Sequence, residues 1–242
     1  MKIVMILTSH DKLGTNKSGL WLEEFAKPYY IFKDAGFGVI LASPQGAQPS
    51  IDARSNNPST NATYRFKSDL VTQLALRNTV KLEEVVMDDV NALFYVGGHG
   101  ALWDLAGNSV SIKMIANTLA SGGAVAAVGH ATSVFCHVKQ SDGSSLINGK
   151  AITGSSLGED DLAGLTQILP SSVENLLKAN GGRYSHGRAG EPFIITDGLI
   201  ITGQNRASSE LVAQSLVASL AHISRKTESG IHQALGKSTY VM

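Results

Sequence analysis

The run AVAAVGHATSVFCHV, residues 124 to 138, carries small and β-branched residues up to a glycine and follows it with a histidine and two hydroxyls. Ala127 and Ala131 stand two positions either side of Gly129, the small-residue spacing that a sharp strand-to-helix turn needs when it lifts its apex residue into a cleft. A Cys or Ser at that apex would be a nucleophile under strain. Gly129 accepts a positive φ at no steric cost and brings no attacking atom. Cys136, seven residues on, returns to the same helical face but roughly 10 Å further along the axis, and is read as a buried core thiol. His137 is turned about 100° from it, so the two form no facing pair. Thr132 and Ser133 fall in the first helical turn, where hydroxyls commonly satisfy backbone groups. Gly97, Gly98, His99 and Gly100 follow the apolar run ALFYV, and their small size lets backbone N–H groups approach a ligand oxyanion.

These residues need a scaffold, and the pattern around them supplies one. The runs KIVMIL, VILAS, ALFYVG, AVAAV and KAITG read as strands. They alternate with helical stretches at Leu20 to Asp34, 68 to 78, 110 to 120, directly after AVAAV, and 172 to 180. Such alternation implies βαβ crossovers and a mainly parallel sheet. FIITDGLIITGQ breaks the period: two apolar runs about Asp197–Gly198 predict a hairpin. A last helix is expected from Ser208 to His222, with Leu211, Val212, Leu216 and Leu220 as its apolar stripe. The expected class is therefore α/β, a flavodoxin-like sandwich with a strand-to-helix elbow and a C-terminal β-hairpin plus helix. Residues 1–225 are read as one domain and 226–242 as an arm. Two loops, Ser9 to Gly19 and Ser50 to Tyr64, are expected as solvated excursions near the ligand-bearing edge.

Lys plus Arg and Asp plus Glu are both 20 in 242 residues, so no global field favours nucleic acid or an anionic membrane. A single cysteine excludes an internal disulfide and CxxC metal clusters, and fits a reducing compartment. The apolar run at the N-terminus is too short for a signal peptide or a span, so a cytoplasmic protein is expected. The histidines, 10, 99, 130, 137, 186, 222 and 232, show no HExxH-type spacing, and no metal is expected. GKST at 236 to 239 fails as a phosphate loop because five residues, not four, separate Gly230 from Gly236.

The stretches TSHDKLG, GLWLEEFAKPYYIFKDAGF, YVGGHGALWDL, LINGKAITG and ITDGLIITGQNRASS, with the elbow, give the chain a family likeness. It resembles the DJ-1/PfpI superfamily of the class I glutamine amidotransferase-like fold, in its heat-shock chaperone and glyoxalase III branch. Members carry Cys-His-Gly at the elbow; this chain has Gly129-His130-Ala131. The resemblance implies cofactor-free conversion of a 2-oxoaldehyde such as methylglyoxal to lactate, by attack of the elbow thiolate and proton shuttling by the histidine that His130 matches. It implies Asp160, six residues past Gly154, as the acid that orients His130. Glu24 matches the family's other active-site carboxylate, and Pro28, unable to donate to the Glu24 carbonyl, distorts the helix there. Gly97, Gly98 and His99, with Ala131, complete the expected oxyanion and ligand-binding set. The acidic run GEDD also reads as a helix first turn favoured by the macrodipole, and Glu23 as an exposed helix glutamate.

Without a thiolate the covalent route loses its first step. The expected function is thus a catalytically impaired or ligand-binding member holding a small carbonyl or carboxylate compound. The alternatives are a hydratase or lyase using water with Glu24 and His130, and a chaperone-like stress protein. A homodimer is expected from the family's habits.

Overall fold

The computed structural model describes the backbone of residues 1–237 and the side chains of residues 1–223. Residues 238–242, with the end of GKST, and the side chains of the expected 226–242 arm lie outside the described residues.

In chain order the elements are β1 (Lys2–Ile6), a small antiparallel pair β2 (Lys12–Leu13) and β3 (Asn16–Lys17), α1 (Leu22–Asp34), β4 (Gly38–Ser43), α2 (Asn61–Ser68), α3 (Leu70–Arg77), β5 (Val80–Lys81) and β6 (Val90–Tyr95). Then come α4 (Ala101–Asp104), α5 (Ser109–Ala120), β7 (Ala124–Val128), β8 (Ala151–Ile152), α6 (Leu157–Leu162), α7 (Val173–Ala179), β9 (Arg183–Tyr184), β10 (Ile194–Asp197), β11 (Ile200–Gly203) and α8 (Ser209–Lys237). Seven strands form one sheet in the order β10-β11-β7-β6-β1-β4-β5, parallel except for β10.

The central strands are buried on both faces, which is why they read as unbroken apolar runs. Along β1, Ile3 and Met5 pack with Phe25, Phe32 and Leu216 on the α1–α8 face, while Val4 and Ile6 pack with Met114 and Ile115 on the α5 face. The chain leaves β1 toward β4 but later returns to β6 on the other side. At this reversal the loops after β1 and β6 part to opposite faces and leave a crevice at the strands' C-terminal ends, where ligands of open α/β sheets bind.

The expected α/β sandwich and the Asp197–Gly198 hairpin are present, the latter with Gly198 at φ 62°. Several elements differ from the sequence reading. After β7 the chain winds as a 3-10 helix from Gly129 to Phe135 rather than an α-helix. Thr132 Oγ1 donates to Gly129 O at 2.9 Å and Ser133 Oγ to His130 O at 2.8 Å, hydroxyl bonds that suit the tighter i to i+3 winding. KAITG contributes only Ala151–Ile152, paired with β9 outside the main sheet. Part of the supposed loop from Ser50 to Tyr64 is ordered as a 3-10 turn at Ala53–Ser55 and the start of α2, capped by Thr60. The first helix begins at Leu22, because Leu20 is engaged in a bridge with Ile51, and the last helix continues to Lys237. No helix among the described residues is long and apolar enough to cross a membrane.

Candidate functional site

Gly129 directly follows β7 at the C-terminal edge with φ 58°, so the apex holds the left-handed conformation that its neighbours' small size allows. Ala131 is fully buried beneath the turn and packs into the α5-side core instead of lining the cleft. A Cβ on Gly129 would sit 3.0 Å from Glu24 Oε1 and 4.0 Å from Gln204 O. The missing side chain is therefore aimed at Glu24.

Glu24 lies in the first turn of α1 and is 6 % exposed. The helix runs through Pro28 without interruption, so the carboxyl is set less by a kink than by the space opposite it. That space comes from Gly97, where a Cβ would fall 2.2 Å from Glu24 Oε1. Gly97→Ala should lower stability by about 1–3 kcal/mol through overpacking. In a double-mutant cycle with Glu24→Ala, denaturation should recover at least about 1 kcal/mol as coupling, whereas additive losses would refute the contact. Burial, reinforced by the neighbouring Glu23 charge and partly opposed by Arg206, pushes the Glu24 pKa up to about 8. Glu24 is thus a neutral acid near pH 7. Glu23 is half-buried rather than exposed, paired with Lys27 at 2.9 Å.

His130 follows the apex, and its Nε2 lies 2.8 Å from Asp160 Oδ1, which also accepts from Ser155 Oγ at 3.1 Å. Facing a carboxylate, Nε2 carries the proton and leaves Nδ1 as the free nitrogen. The acidic run splits by role. Glu159 closes a capping box with Ser156, Asp160 turns inward to His130, and Asp161 bonds to Thr166 at the surface. Glu159 also accepts from Gly190 N at 2.9 Å, Asn205 Nδ2 at 2.7 Å and Gln204 Nε2 at 2.9 Å. Burial alone would raise its pKa, but these donors more than offset it and hold the carboxyl below its ordinary range.

His99 is 7 % exposed, with its ring centroid 4.6 Å from that of His130. Burial, then the His130 and Arg54 charges, press its pKa down to about 3. Its Nδ1 faces Arg54 Nη2 at 3.5 Å; a guanidinium can only donate, so the neutral ring keeps its proton on Nε2. Gly98, at φ 144°, has no room for a Cβ, which would meet Gly19 O at 2.8 Å.

Gly98, His99, Gly129, His130, Glu24 and Asp160 therefore line one cleft of about 400 Å³, while Gly97 stands behind Glu24. The sequence reading missed Trp21, Arg54, Gln204 and Arg206, which also line it. Cys136 is 2 % exposed in the α5-side core, its thiol pushed up to about 12 by burial, and is not part of the cleft. Among the described residues no group of three His, Cys, Asp or Glu side chains could hold a metal. His10 stacks on Trp103 and His186 lies against Tyr184, so the loop histidines do not converge.

The DJ-1/PfpI family model matches residues 18–219, a span that takes in every side chain lining this cleft. The chain belongs to the DJ-1/PfpI family. Among its relatives, glyoxalase 3 of Candida albicans is 28% identical over 231 residues, covering 90% of this chain and 98% of that protein. The glutathione-independent glyoxalase HSP31 of Saccharomyces cerevisiae is 31% identical over 227 residues, covering 88% and 94%. The solved structure of the rapid encystment protein REP24 of Francisella tularensis superposes with TM-score 0.87 at 30% identity, covering 90% and 98% of the two chains. Glyoxalase III of Candida albicans superposes at 0.84 and 26% identity, covering 90% and 96%. The resemblance drawn from the elbow, the GGHG loop and the hairpin thus holds for the DJ-1/PfpI fold and family, with glyoxalases among the relatives.

Proposed function

We propose that this chain binds a small carbonyl or carboxylate compound in the cleft and is impaired in glyoxalase III-type turnover. The observation that carries the reading is the apex itself: a relaxed Gly129 at φ 58°, aimed at a protonated Glu24 and followed by a histidine held by a carboxylate. Glu24 and His99 can donate hydrogen bonds to a ligand oxygen, and His130 can move a proton through Nδ1. Among the described residues no group is placed to bond to the carbonyl carbon. Ser133 Oγ is committed to a backbone carbonyl and fully buried, and Cys136 lies in the core. Losing the nucleophile removes the covalent intermediate and with it most of the rate.

The purified chain should consume methylglyoxal at the rate of buffer alone, with no lactate formed. Rapid lactate formation would sink the reading. A hydratase route, in which water attacks a bound carbonyl or other unsaturated group between Glu24 and His130, is favoured by the proton that Glu24 retains. It requires turnover of some carbonyl substrate that falls on Glu24→Gln.

A further inference from the structure

Beside the apex the cleft carries a feature that binding a neutral aldehyde does not use. Arg54 and Arg206 both approach the Trp21 indole, each with its guanidinium carbon 5.6 Å from the ring centroid, and all three side chains line the cleft. They reach it from distant stretches of chain: Arg54 from the 3-10 turn after β4, Arg206 from the turn between β11 and α8. Arg54 is preorganised. Its Nε donates to Asp52 Oδ1 at 2.9 Å and its Nη2 to Oδ2 at 2.7 Å, and Asp52 is itself buried and bonded to Ser18. Arg206 has no ion-pair partner among the described residues.

Asp52 neutralises Arg54, and the acids that line the cleft have partners of their own. Glu24 is protonated near neutrality, Asp160 is turned to His130 and Ser155, and Glu159 is a carboxylate held by Gln204 and Asn205, with no ion pair to Arg206. At the Trp21 end Arg206 is thus the guanidinium without a carboxylate partner among the described residues, a fork suited to a planar carboxylate. At the lip Leu162 is 81 % exposed, with Leu165 buried behind it. A cleft of about 400 Å³ matches a ligand larger than a three-carbon aldehyde.

We infer that the ligand of this cleft is a 2-oxo acid: its carboxylate lies on Arg206 beside Trp21, its carbonyl faces Gly129, and its apolar arm packs on Leu162 and Leu165. The inference rests on the cleft being a ligand site and adds the ligand's charge and shape.

Calorimetric titration of the full chain with phenylpyruvate, its methyl ester and pyruvate tests it. Phenylpyruvate should bind at least about tenfold more tightly than the ester, the step expected for losing one charge-assisted contact. Arg206→Ala should weaken phenylpyruvate about tenfold or more while leaving the ester unchanged, which also shows the fold intact; Arg206→Lys should fall between. Leu162→Ala should weaken phenylpyruvate but not pyruvate. Equal affinity for acid and ester, an Arg206→Ala variant that binds like the parent, or no binding of phenylpyruvate at all would overturn it. If phenylpyruvate binds with the expected charge preference but is consumed, the non-catalytic reading fails while this one stands.

Discussion

Gly129→Cys should form lactate from methylglyoxal at a rate at least about a hundredfold above the parent, the scale on which nucleophilic and acid-base groups contribute to such reactions. The substitution places a Cβ 3.0 Å from Glu24 Oε1. That atom is the end of a flexible side chain, so a shift of a few tenths of an ångström accommodates it. The thiol would then lie against a neutral carboxylic acid and beside His130, whose Nδ1 is free to take its proton. The thiolate attacks the aldehyde carbon, the electron pair of the carbonyl moves to oxygen, and Glu24 can supply the proton there while His99 donates a hydrogen bond. A residue with a side chain at φ 58° is strained, so the variant should lose about 1–3 kcal/mol of stability. Gly129→Ser carries the same backbone cost with a poor nucleophile and should stay near background, which separates chemistry from conformation. Because Cys136 is buried with its thiol raised to about 12, the reactive thiol titrated in the variant is the new one. A folded Gly129→Cys protein whose thiol reacts with reagent but which forms no lactate would show that the cleft lacks the rest of an enzyme's frame.

How much of this was legible in the sequence follows from the range over which each feature is encoded. The elbow is local: Ala127, Gly129 and Ala131 declare it because a tight turn tolerates only small neighbours, and the Asp197–Gly198 hairpin is declared by its two turn residues. The winding after the elbow was not legible. Over seven residues the periods 3.6 and 3.0 bury much the same apolar positions, and the hydroxyls of Thr132 and Ser133 tip the balance through bonds to carbonyls three residues back. KAITG has a strand's composition, but strand pairing is a property of the partner, and here the partner is β9. His130 and Asp160 are 30 residues apart and were joined only by family resemblance; the structure places them 2.8 Å apart. Arg54 and Arg206 gave no signal, since each sits among polar residues of a turn. Only the return of β11 to the side of β7 brings the second arginine to the same crevice.

The buried pair Glu24 and His99 should shape stability against pH in a way that one substitution can unmask. In the folded chain Glu24 titrates at about 8 against an ordinary 4.5, so between these values the folded state holds a proton that the unfolded chain has released. Its contribution is complete below pH 4.5 and is lost as pH rises toward 8. His99 acts with the opposite sign. Its pKa is about 3 against 6.5, so below 6.5 the unfolded chain binds a proton that the folded state refuses, and stability rises with pH from about 3 to 6.5. Each effect is worth up to about 1.4 kcal/mol per pH unit. Between pH 4.5 and 6.5 they cancel, and above 6.5 Glu24 acts alone, so the parent should be nearly level to pH 6.5 and then lose up to about 2 kcal/mol by pH 8. Acids such as Asp52 and Glu159, with depressed pKa values, impose their slope only in more acidic solution, and Asp104, raised by burial, adds a falling slope above its ordinary 3.8 that parent and Glu24 variant share. Glu24→Gln removes the falling limb: the variant should keep gaining stability up to pH 6.5 and hold it to pH 8. Urea midpoints at pH 5, 6.5 and 8 measure the difference directly. If the two proteins trace parallel curves, Glu24 is already ionised in the folded chain, and the cleft has no neutral acid with which to protonate a ligand's oxygen.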